Sequence, residues 1–155
     1  MIENYSTRAV NEALDYLNSV LKEDCIAVLS HTINTHHYLY TVGNTTYDCP
    51  ELLLFCSKNK IEHYNNILIL LSQSMRDTKK LPQPHQKMTF QKCKFYPISM
   101  DYPCIAGYAN MVLFHYKHRT DIVMLQLMTT DLNGRYPHEL DYNHKYMKQP
   151  VLKTQ

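Results

Sequence analysis

Hydrophobic positions along the chain follow a helical period in three stretches. Spacings of three and four residues give each stretch one apolar face, as in helices that pack on a sheet. Pro82 and Pro84 prevent the second helix from continuing beyond Lys79. The pattern predicts helices at about residues 7–22, capped by Ser6 or Thr7, at residues 61–75, and at residues 103–118.

Short apolar or alternating runs between these helices predict the strands. The run Glu51–Cys56 is apolar on both faces, which is typical of a central strand. The order α-β-β-β-α-β-β-α-β favours an α+β fold, with a mixed or mainly antiparallel sheet of about five to six strands and three helices packed on it. We expect a single domain over residues 1–155, with an N-terminal helix within residues 1–23. The strands are predicted at residues 25–30, 38–42, 51–56, 88–90, 93–96 and 122–128. The first two are joined by the polar loop 31–35 and are expected to form a hairpin.

The last predicted strand runs into a polar turn within Leu125–Pro137. Gly134 can take a positive φ there, and it is followed at once by Arg135, Tyr136 and a rigid proline. Loops that leave a buried strand are common binding sites, because the strand fixes their position while they stay in contact with water. From Leu140 the chain has turn-like composition, and we expect an ordered segment wrapped on the domain.

The residues near this turn suit a small polar aromatic ligand, for which a nucleotide is the clearest candidate. Tyrosine rings can stack on a planar ring, and arginine can hold an anion through charge-assisted hydrogen bonds. An acid could also serve as a general base, although Asp131 is equally consistent with an Asx turn that closes its own loop. The predicted ligand-binding residues are Tyr40, Thr41, Gln126, Asp131, Arg135, Tyr136 and His138, and we expect the β scaffold to bring Thr41, Gln126 and Arg135 to one hollow.

Charge and composition restrict the remaining possibilities. The formal net charge of +2 is too small for a general nucleic-acid binder, so no bulk nucleic acid is expected as a partner. One segment, Lys79–Lys94, contains five lysines and no acid, and it is either a solvated edge or a rim that attracts anions. No run approaches the roughly 18 apolar residues of a membrane span and no signal peptide is evident, so we expect a cytoplasmic protein without a membrane partner.

Signatures of metal, thiol and phosphate chemistry are weak. Nine histidines invite a metal hypothesis, but His36 and His37 point to opposite faces of a strand, and no ligand motif completes His115 and His118. Five cysteines without a Cys-x-x-Cys pair predict reduced thiols packed as small hydrophobic groups. The sequence lacks nucleophile-elbow, Walker and dinucleotide motifs, and it therefore predicts no cofactor, metal or catalytic residue.

Several short blocks carry a resemblance to a known family. They are Tyr40-Thr41-Val42-Gly43, Pro50-Glu51-Leu52, Leu125-Gln126-Leu127, Asp131 with Gly134-Arg135-Tyr136-Pro137, and Gln149-Pro150-Val151-Leu152. Together they resemble the small bacterial and phage proteins of domain of unknown function 4262, over about Cys25–Leu152. The chain departs from that pattern at His138, which replaces a tryptophan, and in Asn44–Cys49. The resemblance implies the same frame and loop, and it implies no reaction.

Our first hypothesis is a non-enzymatic protein that captures a small nucleotide-like signal molecule. A composition rich in Asn, Lys, Ile and Tyr suits a phage or an A/T-rich bacterium, so sequestration by a phage to blunt host defence is one form of it. The second hypothesis is a hydrolase of such a nucleotide that uses Asp131 or His138 as the base. The third is a protein-binding module that uses Lys79–Lys94. Self-association is left open.

Overall fold

The computed structural model describes residues 7–22, 25–144 and 149–152, and within them the chain forms four α-helices. These are α1 (Thr7–Leu21), α2 (Ile61–Thr78), α3 (Tyr102–Tyr108) and α4 (Asn110–His115). The first two confirm the predicted helices, although the proposed cap Ser6 lies outside the described residues. The third predicted helix is instead two, because Ala109 leaves the helical region at φ −136° and ψ 44°.

The strands of the described residues form one sheet of six. They are β1 (Ala27–Ile33), β2 (His36–Val42), β3 (Glu51–Cys56), β4 (Met88–Phe90), β5 (Cys93–Ser99) and β6 (Met124–Thr129). Their spatial order is β1-β2-β3-β6-β5-β4, so β3 is central as its apolar faces predicted. The α+β fold with a mixed sheet is confirmed.

Two antiparallel meanders meet at the centre of this sheet. Strands β1, β2 and β3 form one meander, and β4, β5 and β6 form the other. They join where β3 pairs in parallel with β6, with Glu51 opposite Met124. The predicted β1–β2 hairpin is present, but its strands extend through much of the expected loop and leave Asn34 and Thr35 as the turn.

Helices cover both faces of the sheet, because the strand side chains alternate between two cores. Leu52 and Leu54 pack towards α2, whereas Leu53 and Phe55 pack towards the other three helices. All six residues of β3 are buried. The sheet is therefore fixed from both sides, and its strand ends can hold loops in defined positions.

The C-terminal segment 149–152 is hydrogen-bonded to β6. The Gln126 side chain donates to Pro150 O at 2.6 Å and accepts from Leu152 N at 2.8 Å. The Gln149 side chain accepts from Thr129 N at 2.8 Å and donates to Thr129 O at 2.9 Å. These bonds satisfy polar groups that the sheet buries. The expected ordered wrap is present for these residues, and residues 145–148 lie outside those described.

Candidate anion-binding site

The turn after β6 is built around the Asp131 carboxylate. Its Oδ1 accepts hydrogen bonds from Asn133 N at 2.8 Å and Arg135 N at 2.9 Å, and its Oδ2 accepts one from Asn143 N at 2.8 Å. Gly134 has φ +77°, as the sequence predicted for this turn. The Asx-turn interpretation of Asp131 is therefore the one that the hydrogen bonds support.

These hydrogen bonds also decide the charge of Asp131. The N–H of Arg135, followed by those of Asn143 and Asn133, lowers the pKa of the carboxyl below its ordinary value and outweighs desolvation. Both oxygens are occupied and the anion is stabilised, so Asp131 is a weak base. The arrangement contradicts its predicted roles as a ligand contact and as a general base, because its oxygens already bind the backbone.

The residues after the turn divide between the core and the surface. Tyr136 is 3% exposed and packs in a small cluster with Ile98 and Met128, so its ring face cannot stack on a ligand as predicted. Arg135 and His138 are exposed. The His138 ring lies 4.4 Å from the Tyr96 ring, centroid to centroid. The Arg135 and His138 side chains therefore lie on the rim, which is the exposed side of this loop, whereas the Tyr136 phenol packs in the interior beneath it.

The β4–β5 hairpin brings lysines to the same rim. Phe95 pairs with Thr129 across the sheet, which places Lys94 beside the start of the turn. Lys87 Nζ lies 5.6 Å from the centroid of the Tyr136 ring and 4.0 Å from Glu139 Oε1. Lysines of the segment Lys79–Lys94 therefore face the predicted ligand loop, as the hypothesis of an anion-attracting rim requires.

Two adjoining hollows lie between this hairpin and the turn. The larger, of about 500 Å³, is lined by Tyr64, Lys92, Cys93, Lys94, Thr129, Thr130, Asp131, Leu132, Asn133 and Gly134. The smaller, of about 300 Å³, is lined by Lys87, Met88, Thr89, Lys94, Gly134 and Tyr136. They share Lys94 and Gly134, and we call the pair the lysine cleft. Its ammonium groups and hydroxyls suit an anion.

The other predicted ligand residues do not reach this cleft. Thr41 Oγ1 donates to Glu51 Oε1 at 2.9 Å, at the start of β3. Because β3 and β6 are parallel and Glu51 is opposite Met124, Thr41 and the Asp131 turn lie at opposite ends of the sheet. The prediction that Thr41, Gln126 and Arg135 converge on one hollow is therefore wrong.

Tyr40 and Gln126 are also structural rather than ligand-facing. Both lie in one row across the sheet, since Tyr40 pairs with Leu53 and Leu53 pairs with Gln126. Tyr40 is 0% exposed and stacks on His31 at 5.3 Å between ring centroids. The Gln126 amide is used by the C-terminal segment. Neither can contact a ligand at the surface, because other parts of the chain cover both.

A buried network at the start of β3 was missed by sequence reasoning. Among the described residues, Glu51 accepts five hydrogen bonds, from Thr41 Oγ1, Asn44 N, Thr45 N, Thr45 Oγ1 and Tyr116 OH. Burial raises the pKa of Glu51, while hydrogen bonds from Thr45, Thr41 and Tyr116 oppose that rise. A single acid at the start of the apolar run Glu51–Cys56 was the available signal.

Glycine is required beside this network. Gly43 has φ +124°, and its N–H donates to Tyr116 OH at 2.9 Å. A Cβ added there would lie 2.9 Å from Leu21 Cδ2, which is closer than real contacts allow. The phenol that binds Gly43 also binds Glu51 at 3.0 Å. The strand end and the carboxylate are therefore held by one tyrosine.

A third hollow, of about 290 Å³, lies beside the Glu51 network. Its walls are mostly apolar and include Pro50, Leu81 and Val123. Its guanidinium, on Arg119, is engaged by Asp121 through bonds of 2.9 and 2.6 Å. An anion here would have to displace Asp121 from this guanidinium, whereas the lysine cleft presents three ammonium groups, so the cleft is the better anion site.

The family model described as domain of unknown function 4262 (DUF4262) matches residues 22–143. The chain belongs to this family. No curated protein and no solved structure matches the chain.

The blocks that carry the DUF4262 resemblance have structural roles here. Thr41 and Gly43 meet Glu51 in the buried network, and Asp131 closes the turn before Arg135. Gln126 binds the C-terminal segment. These side chains satisfy polar groups of the sheet and of the segments that follow it. The DUF4262 pattern thus describes a frame, whereas all three cleft lysines lie outside these blocks.

Two further observations concern the described residues as a whole. They contain no group of three or more His, Cys, Asp or Glu side chains placed to hold a metal ion. Nor do they include a helix of sufficient length and apolar character to cross a membrane.

Acidification is expected to remove the contribution of Asp131 to stability. Its folded-state pKa is lowered, so the contribution is complete above the unfolded pKa of about 3.9 and is lost as pH falls through the folded value. In Asp131→Asn, an amide NH₂ must face one of the backbone donors. Urea unfolding from pH 7 to pH 3 should show a gap between variant and wild type that narrows below about pH 4. A difference in unfolding free energy between variant and wild type that does not change with pH would contradict this. The control is Asp15→Asn, at an exposed position of α1.

Proposed function

We propose that this protein binds a small nucleotide-like anion in the lysine cleft and holds it without transforming it. Lys87, Lys92 and Lys94 bind the phosphate oxygens, and Arg135 on the adjoining loop adds a fourth cation. In this proposal the protein acts in the cytoplasm, which is the host's if the chain is phage-encoded, and keeps a signal nucleotide from its receptor.

The observation that carries the proposal is the convergence of the hairpin lysines on the Gly134 turn. Lys94 and Gly134 line both hollows, so one bound anion can contact either side. Of the nearby acids, Asp131 is engaged by backbone N–H groups and Glu139 lies 4.0 Å from Lys87. Even with both carboxylates ionised, three lysines and Arg135 leave a net positive charge, which favours an anion.

An aromatic wall supports a ligand with a planar ring. Tyr64 on α2 lines the larger hollow and is half-buried, unlike Tyr40 and Tyr136. A phenol in that position can contact a base while the lysines hold its phosphates. Tyr64 thus takes the stacking role that the sequence assigned to Tyr40 and Tyr136, and His138 on the rim can still bond an edge.

Binding without hydrolysis is the form that the Asp131 geometry favours. A general base needs a lone pair directed at its substrate, and the hydrogen bonds to Asp131 use its oxygens within the loop. Chromatography of nucleotides incubated with the protein tests this directly. Recovery of intact ligand supports capture, whereas hydrolysis products would replace the proposal with the hydrolase.

Charge reversal of Lys94 is expected to weaken nucleotide binding by roughly tenfold to a hundredfold. One hydrogen bond to a charged group contributes about 1.5–3 kcal/mol, and 1.4 kcal/mol corresponds to a factor of ten in affinity. Isothermal titration of wild type and Lys94→Glu against a panel of mono-, di- and cyclic nucleotides measures the change. Affinity should also fall with added salt, because the cleft is open to solvent.

Lys80→Glu provides the matched control for this experiment. Lys80 belongs to the same lysine-rich segment and is exposed, but it does not line the cleft. Its reversal changes net charge equally and should leave affinity within about twofold if the lysine contacts are local. Absence of binding at high micromolar nucleotide, or equal losses in both variants, would overturn the proposed site. Loss of a captured protein partner on reversal of both lysines would instead support the interaction module.

A further inference from the structure

A thiol and an imidazole meet at the edge of the larger hollow. Cys93 begins β5 and His63 lies near the start of α2, and Cys93 Sγ is 3.6 Å from His63 Nε2. The thiol is half-buried and lines the hollow, while the imidazole is exposed. The two residues are 30 positions apart in the chain, so only the fold brings them together.

Lysines surround this pair. Lys92 and Lys94 flank Cys93 in the sequence and line the same hollow. Burial raises the pKa of the Cys93 thiol, and Lys60 acts in the opposite direction. The sulfur is therefore a protonated thiol at neutral pH, and its reaction requires a nearby base. His63 is placed to supply that base.

We propose that Cys93 is a site of thiol–disulfide exchange with a small anionic disulfide bound in the lysine cleft. His63 Nε2 takes the thiol proton as Sγ attacks one sulfur of the disulfide. A bond forms between Cys93 Sγ and that sulfur, and the disulfide bond of the reagent breaks. The departing thiolate takes the proton back from the imidazolium. The disulfide is the oxidant, and one half of it leaves as a free thiol.

The preference for an anionic disulfide follows from the lysines. Carboxylates on the reagent can contact Lys92 and Lys94 while its sulfur reaches Cys93. This reaction depends on the shape and charge of the hollow and not on nucleotide binding. Failure of the nucleotide titrations would therefore leave it intact, and failure of the exchange would leave the nucleotide proposal intact.

The other cysteines provide a comparison within the same chain. Cys49 and Cys56 are buried, and burial raises the pKa of Cys56 to about 11. Cys25 is exposed, so accessibility alone predicts that Cys25 reacts before the half-buried Cys93. A faster reaction at Cys93 would require assistance from its surroundings.

The test is incubation of the reduced full-length protein with oxidised glutathione at pH 7, followed by peptide mass spectrometry. We expect the mixed disulfide to form several-fold faster at Cys93 than at Cys25. His63→Ala should slow Cys93 by roughly tenfold, within the usual range for loss of a general base, and leave Cys25 unchanged. Preferential reaction at Cys25, or an unchanged rate at Cys93 in His63→Ala, would overturn the proposal.

A neutral reagent separates the role of the lysines from that of the imidazole. Hydroxyethyl disulfide carries no charge, so its ratio of reaction at Cys93 to Cys25 should be lower than that of oxidised glutathione. Lys94→Glu should reduce the ratio for the anionic reagent and leave the ratio for the neutral one largely unchanged. Equal ratios for both reagents in the wild-type protein would overturn the anionic preference.

Discussion

Replacement of Glu51 by alanine or glutamine is expected to lower the free energy of unfolding by about 3–5 kcal/mol. Alanine leaves the donors around the buried carboxylate without an acceptor. Glutamine fails for a geometric reason, because Oε1 accepts from Asn44 N at 3.2 Å and Oε2 from Thr45 N at 2.8 Å. Whichever oxygen position its NH₂ occupies, that group faces a backbone N–H, which can only donate a hydrogen bond and cannot accept one. Urea unfolding followed by circular dichroism measures the loss.

The control for this prediction is Glu62→Gln. Glu62 is exposed in the first turn of α2, where neutralisation should change stability by no more than about 1 kcal/mol. Small domains are stable by about 5–15 kcal/mol, so the Glu51 variants should also express at reduced soluble yield. An unfolding midpoint for Glu51→Gln equal to that of wild type would show that the network does not depend on the carboxylate.

Acidification from pH 7 to pH 4 is expected to cost about 2 kcal/mol of stability through His31 alone. Its ring stacks on Tyr40 and Tyr38 at centroid distances of 5.3 and 5.5 Å, and burial lowers its pKa to about 4. The unfolded chain has a pKa near 6.5 and binds the proton first. Stability is therefore complete above about pH 6.5 and falls as pH drops towards the folded value. The figure of about 2 kcal/mol allows for screening at a ring that is only partly buried.

His31→Gln should flatten this part of the pH profile, whatever its effect on stability at pH 7. The exposed His118 gives the matched variant, and His118→Gln should retain the wild-type slope between pH 7 and pH 4. Urea unfolding at half-unit pH intervals provides the comparison. The pH range over which His31 lowers stability lies above the range for Asp131, so the two effects can be measured in one pH series. An unchanged slope in His31→Gln would exclude His31 as its source.

Periodicity predicted the frame well because it reports burial directly. The continuous apolar run in Glu51–Cys56 identified a central strand, and the spacing in residues 61–75 identified α2. The break at Ala109 carried no such signal, since apolar residues continue on both sides of it. Local patterns also predicted the positive φ of Gly134 and the hairpin of β1 and β2.

The site was less predictable because it depends on strand order. The sequence suggested the polar turn and, separately, the lysine segment, but their contact requires β5 to pair with β6. Thr41 and Gln126 are polar residues within strands, where internal hydrogen bonding and ligand binding look alike in sequence. Thr41 binds Glu51 and Gln126 binds Pro150, so both serve the frame. The contact between Cys93 and His63 could not be predicted either, because it depends on how elements distant in the sequence pack together.

The β4 strand lies at the margin of the sheet. Among the described residues it is the outermost strand and pairs only with β5, while the hydrogen-bonded network of Glu51 belongs to the other meander. The outward side chains Lys87 and Thr89 are exposed, so exchanging them alters the cleft and leaves the buried polar groups satisfied. In the proposed function, substitutions at these positions change which anion the cleft prefers at small thermodynamic cost, because they leave the packed centre of the sheet intact.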